Sequence, residues 1–156
     1  MNLTHEILHS IKYKGNKALA KYLGQEYAKT VYEQLLSFEI QEVVPIPLHP
    51  RKKRLRGFNQ AESFALGISE ILKCRCNTKS LKRTSFTSTQ TKKKRLERWK
   101  NVEGIFASHG QDLNNKNVLL VDDVITTGAT LESAAKVILD QKPKSLGIIT
   151  LAYAKG

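Results

Sequence analysis

The sequence predicts one α/β domain over residues 1–156, a mostly parallel twisted sheet flanked by helices. Strand-sized apolar runs alternate with segments of helical period along most of the chain. Val118-Leu119-Leu120-Val121 is a continuous apolar run, as expected of a strand covered on both faces of a parallel sheet. That run, the amphipathic segment after it and the apolar residues 146–151 form a strand–helix–strand unit. Its two strands should lie parallel with a right-handed crossover.

Taken in order, the chain opens on a helical face of Leu3, Ile7, Leu8 and Ile11, ended by Gly15. A longer helix follows Asn16, with Leu19, Leu23, Tyr27, Val31 and Leu35 recurring every fourth residue. Residues 42–46 form the first strand, stopped by Pro45 and Pro47, and a basic loop spans 49–57. Asn59 is placed to cap the next helix, with Glu62 at the capping-box position and Ala61, Phe64, Ala65, Ile68, Ile71 and Leu72 on its apolar face. A short strand is expected at 78–81, a mobile Ser/Thr/Lys-rich loop at 82–94, a helix at 95–100 and a short strand at 104–106. After the 118–121 strand comes a turn over 122–128. A helix burying Leu131, Ala134, Ala135, Ile138 and Leu139 follows, then a break around Pro143 and a last strand at 146–151.

An apolar fraction of 40% and a charged fraction of 26% are ordinary for a globular protein. No run approaches a membrane span and the N-terminus lacks a signal-peptide core, so a soluble cytoplasmic protein is expected. Cys74 and Cys76 offer too few ligands for zinc and read as two reduced thiols at a helix end. The net charge of +12 is uneven: five of the six residues 51–56 are basic, and residues 73–100 hold eleven bases and the single acid Glu97. Such density captures polyanions. A solvated face kept for solubility accounts for some of these lysines.

The chemistry concentrates in residues 118–130. Beyond the apolar strand come Asp122-Asp123, then Thr126-Thr127-Gly128-Ala129-Thr130 leading into a helix. Free N–H groups and the positive dipole end at that helix start favour a phosphate. Gly128 lets the backbone approach an anion, and the hydroxyls of Thr126, Thr127 and Thr130 add donors. Two acids beside a phosphate repel it unless they have another task. Vicinal hydroxyls supply one, because ionised carboxylates only accept hydrogen bonds. The pattern therefore matches a ribose 5-phosphate as one object. P-loop and dinucleotide glycine motifs are absent.

Residues 118–130 resemble the 5-phosphoribosyl-1-pyrophosphate (PRPP) motif of type I phosphoribosyltransferases. Val44-Pro-Ile-Pro-Leu-His-Pro-Arg51 running into Arg56-Gly-Phe-Asn-Gln-Ala61 resembles the ComF (competence protein F) family. So does Lys82-Arg-Thr84, continuing through Thr89-Gln90, Arg98, Asn101-Val102, Gly104 and Phe106. The resemblance implies the type I phosphoribosyltransferase fold, with a small helical hood over 1–40 and an α/β core over 41–156. It assigns Asp122 and Asp123 to the ribose hydroxyls as the catalytic pair, and Thr126, Thr127, Gly128, Ala129 and Thr130 to the 5-phosphate. Arg51, Lys52, Arg54 and Arg56 of the first loop, and Lys92, Lys93 and Arg95 of a closing loop, are assigned to pyrophosphate. Mg²⁺ would arrive with PRPP, no protein side chain being assigned to it. ComF proteins commonly begin with a cysteine-rich zinc ribbon, which does not precede Met1 here. The implied function is transfer or binding of the phosphoribosyl group, linked to DNA uptake in natural competence. Its alternative is a non-catalytic single-stranded nucleic-acid binder on the same fold. PRPP, single-stranded DNA and competence-machinery proteins are the partners implied, without membrane insertion. His49 and Trp99 are weaker candidates, for ligand contact and base stacking.

Overall fold

The computed structural model describes residues 16–84, 104–109 and 113–153. The expected opening helix, the closing loop and the helix at 95–100 lie outside them, and so do Lys92, Lys93, Arg95 and Trp99.

The main sheet has four strands in the order β2-β1-β5-β6, every pair parallel: β1 (Glu42–Pro45), β2 (Arg75–Cys76), β5 (Asn117–Ile125) and β6 (Ser145–Tyr153). The two central strands are the most apolar because both their faces are covered; Val43, Val44, Leu120 and Val121 are fully buried. A separate antiparallel hairpin pairs β3 (Leu81–Arg83) with β4 (Phe106–Ser108).

Helix α5 (Ala129–Leu139) and the hairpin cover one face of the sheet, burying Val118, Leu120, Leu131, Ala134, Ile138, Leu81 and Phe106 together. The other face packs Leu119, Val121 and Ile149 against α1 (Lys17–Thr30), α2 (Tyr32–Ser37) and α4 (Gln60–Leu72). Helices α1 and α4 touch backbone to backbone where Gly24 meets Gly67. No described helix is long and apolar enough to cross a membrane.

Several expectations are corrected. The helix after Asn16 is two helices, because the chain breaks at Val31. The basic loop at 49–57 contains the short helix α3 (Pro50–Arg56), started by Pro50 at its first turn and ended by Gly57 at φ 80°. Asn59 caps α4 through the Ala61 N–H (3.1 Å), but Glu62 pairs with Lys53 (3.1 Å) instead of closing a capping box. Arg75–Cys76 is the strand beside β1, and β3 begins at Leu81, so Lys82 and Arg83 are strand residues. β4 starts two residues later than expected, at Phe106. β5 runs on to Ile125, because β6 is long enough to pair with it as far as Tyr153. Asp122 and Asp123 are therefore strand residues rather than turn residues. Leu139 is more than half exposed. Cys74 and Cys76 are free thiols just beyond α4, both pushed up to about 11, chiefly by burial.

Candidate functional site

The C-terminal ends of β1 and β5 open toward the same side, where open α/β sheets place their ligands. Two helix starts are anchored there. The buried Asn59 donates its amide to the Ile46 carbonyl (2.9 Å), tying the start of α4 to the end of β1. β5 hands over to α5 through Thr126-Thr127-Gly128.

Gly128 caps α5 with φ 79°, a left-handed conformation that costs other residues about 1 kcal/mol. A Cβ there would meet only Ile125 Cδ1 at 3.9 Å, so the glycine is needed for the turn rather than for space. The Thr127 hydroxyl accepts from the Ala129 N–H (3.4 Å), which leaves its own proton to donate. By helix geometry the N–H groups of Thr130 and Leu131 have no acceptor within α5. Thr126 is exposed, Thr127 and Thr130 are half-buried, and Ala129 is buried beneath them. The turn thus brings together all five residues expected of a phosphate cradle.

The acids are placed unequally. Asp122 is 9% exposed, and strand alternation sends it to the face shared with Val118 and Leu120, beneath the β3–β4 hairpin. Asp123 is half-buried. Each carboxylate accepts from the next backbone N–H, Asp122 from Asp123 (2.8 Å) and Asp123 from Val124 (2.9 Å). Those bonds orient both side chains.

Arg83, on β3, is the residue the sequence did not single out. Burial lowers its pKa, and the Asp122 carboxylate opposes that by favouring the charged form. Its guanidinium lies 5.4 Å from the centre of the Phe106 ring. Lys52 is held below the usual lysine range by burial first, then by Arg83 and Arg56. His49 is lowered by desolvation, then by Arg51, Arg83 and Lys52. His49 Nδ1 also accepts from the Arg51 N–H (3.2 Å), which puts the proton of the neutral ring on Nε2.

The four basic residues assigned to the first loop therefore divide. Lys52 is close enough to Arg83 to be perturbed by it, Arg56 donates to Gln60 (3.4 Å), and Arg51 is near His49. Arg54 is exposed on α3, and Lys53 is turned to Glu62. The signal for Arg83 was its place in Lys82-Arg-Thr84. Nothing local linked it to an aspartate 39 positions later.

Residues 59–156 match the phosphoribosyl transferase domain family. The competence protein ComFC of Bacillus subtilis is 32% identical over 151 residues, 96% of this chain and 60% of that protein. The DNA utilization protein YhgH of Escherichia coli is 26% identical over 136 residues, 85% of this chain and 60% of that protein. The chain thus spans about three-fifths of the length of these curated relatives. Among solved structures, a hypoxanthine phosphoribosyltransferase from Staphylococcus aureus superposes with a TM-score of 0.56 at 16% identity. That match covers 90% of this chain and 68% of that one, a likeness of fold alone. With its strand, turn and helix in the matched segment, the chain belongs to the phosphoribosyl transferase domain family and, within it, to the ComF family.

Proposed function

We propose that this chain binds PRPP at the C-terminal edge of β5, as a phosphoribosyltransferase-like protein acting in DNA uptake or utilisation. The observation that carries the reading is the junction of β5 and α5. A left-handed glycine turn with threonine hydroxyls and open helix N–H groups directly follows two carboxylates, each oriented by the next backbone N–H.

In group transfer the C1–O bond breaks with its electron pair leaving on pyrophosphate, while a nitrogen acceptor forms the new bond to C1. The chain's task is to hold the sugar and stabilise the departing charge. Arg83 is electrostatically linked to Asp122, and Lys52 to Arg83. A Mg²⁺ bound with the ligand would find hard oxygen donors in Asp122 and Asp123 and would neutralise the leaving diphosphate.

Titration calorimetry in the presence of Mg²⁺ tests the reading. Affinity should fall in the order PRPP, ribose 5-phosphate, ribose. An absence of saturable heat with both phosphorylated sugars at millimolar concentration would sink it.

A second reading is favoured by α3, whose Arg51 and Arg54 are exposed alongside Leu55, 85% exposed. Such a helix suits the backbone of single-stranded DNA, with PRPP as a regulatory ligand on the same chain. Neutralising several phosphates releases counterions, so oligonucleotide affinity should drop steeply, by about tenfold or more, between ~50 and ~200 mM salt. A flat salt response, or no band shift at low salt, counts against it.

A further inference from the structure

We propose that β6 is a self-association edge, through which two copies of this chain pair antiparallel about a two-fold axis to join their sheets into one. The inference stands apart from the sugar-phosphate reading above and does not depend on it.

The two edges of the sheet are unlike. At one edge β2 has two residues, and the first, Arg75, is charged. The Asn77 side chain then accepts from the N–H groups of Lys79 (3.1 Å) and Ser80 (3.0 Å) and turns the chain away. A short, charged edge that turns off is guarded against pairing with another strand. At the other edge β6 has no such guard. It runs nine residues, Ser145–Tyr153, with no charged residue and no proline, and keeps one register with β5 from end to end. Among the described residues β5 is its only strand neighbour. Every second residue of such a strand directs its N–H and C=O away from that neighbour, so a row of donors and acceptors faces outward along about 30 Å.

The side chains suit a strand as occupant. Leu146 packs into the core under α5, and Ile149 and Leu151 pack into the core of the opposite face. Alternation therefore puts Ile148 on the α5 side, where it is 51% exposed, and Tyr153 at the strand end is 68% exposed. With Ile149 opposite its own copy, all nine residues pair. Ser145 then stands opposite Tyr153, Ile148 opposite Thr150, and Gly147 leaves room opposite Leu151. No like charges meet, and the two Ile148 side chains lie on one diagonal across the axis. Roughly eight inter-chain N–H···O bonds form, near the number in an ordinary protein interface.

Charge selects a second copy at this edge over self-contact elsewhere. The chain carries +12, yet residues 117–153 hold three lysines and four acids, so the excess lies on the rest of the molecule. Copies meeting through α3 would set a run of bases against itself, whereas copies meeting through β6 meet on an uncharged strand. Lys144, just before that strand, is 4.0 Å from Glu39 of its own chain. Because all strands within a copy are parallel, the two-fold pairing points the two candidate sites in opposite directions.

The test measures the mass of the full chain by sedimentation and light scattering over about 1–100 μM, for wild type and Ile148→Lys. Wild type should be a dimer at the upper end. Ile148→Lys alters a half-exposed side chain, so it should melt as wild type does and dimerise at least about tenfold more weakly, with two cations set across the axis. Ser145→Cys combined with Tyr153→Cys should crosslink two copies in oxidising glutathione. Either change alone should not, because like positions then lie about 26 Å apart. The cysteine pair decides the matter if Ile148→Lys fails to fold. A wild type that stays monomeric at about 100 μM overturns the proposal and leaves the edge to a strand of another protein. So does a dimer that Ile148→Lys does not weaken or that the cysteine pair does not crosslink, since its interface then lies elsewhere.

Discussion

Replacing Asp122 and Asp123 together by Asn should abolish PRPP binding, with a loss of at least about 100-fold by titration calorimetry. Ionised carboxylates accept from both hydroxyls of a diol, whereas an amide turns one of its two ends into a donor facing a donor. Each charge-assisted bond is worth roughly 1.5–3 kcal/mol, and two such losses in one site pass the 100-fold mark even when they are not additive. The single variants should separate. Asp123 is half-buried with its carboxylate braced on the Val124 N–H, so Asp123→Asn should cost affinity and leave the melting temperature nearly unchanged. Asp122 is 9% exposed and stands against Arg83, so Asp122→Asn also leaves that guanidinium without its counter-charge. A stability loss of about 1–3 kcal/mol should accompany it, partly relieved by solvent reaching Arg83. A double variant that still binds PRPP within about threefold of wild type would remove the acids from the site.

The strand, the acids, the turn and α5 were legible because each is written locally. Apolar residues 118–121, β-branched Val124 and Ile125, Gly128 and the spacing of Leu131, Ala134 and Ile138 act within a few positions of one another. The extension of β5 past the acids was not, since it depends on pairing Val124 with Ala152 and Ile125 with Tyr153. Helix α3 was hidden by its charge: a run of bases reads as loop, although Pro50 and Gly57 mark its start and stop. Its isolated stability is low, and it is capped by the His49 ring at its start and by the Gly57 N–H on the Lys53 carbonyl at its end. Tertiary charge is the least legible layer. Glu42, 3% exposed at the start of β1, is compensated by Lys116 (2.7 Å) and Asn77 (3.0 Å), partners far away in sequence. Arg83 belongs to the same class, joined to Asp122 only after the hairpin has packed on α5.

Gly67→Ala should be the most destabilising small substitution in the described chain, at about 2–4 kcal/mol. A Cβ at Gly67 would stand 2.0 Å from the Lys21 carbonyl oxygen, and one at Gly24 would stand 2.1 Å from that of Phe64. Both obstacles are backbone, so no rotamer change relieves them and the helices must part. Parting α1 from α4 loosens the packing of Ala28, Phe64, Ala65 and Ile68 over the sheet, all completely buried. For a domain of this size the melting temperature should fall by roughly 5–15 °C. Gly57→Ala is the control. Gly57 also has positive φ, at 80°, but nothing lies within 4 Å of its Cβ, so only backbone strain of about 1 kcal/mol is at stake. A Gly67→Ala melting curve within about 2 °C of wild type would show that α1 and α4 do not cross this closely. The consequence reaches the site as well. α4 carries Asn59, whose amide fastens the helix start to the end of β1 beside Lys52 and Arg56. A helix pushed off its seat at Gly67 strains that fastening, so PRPP affinity should weaken in Gly67→Ala even though no residue of the crevice has changed.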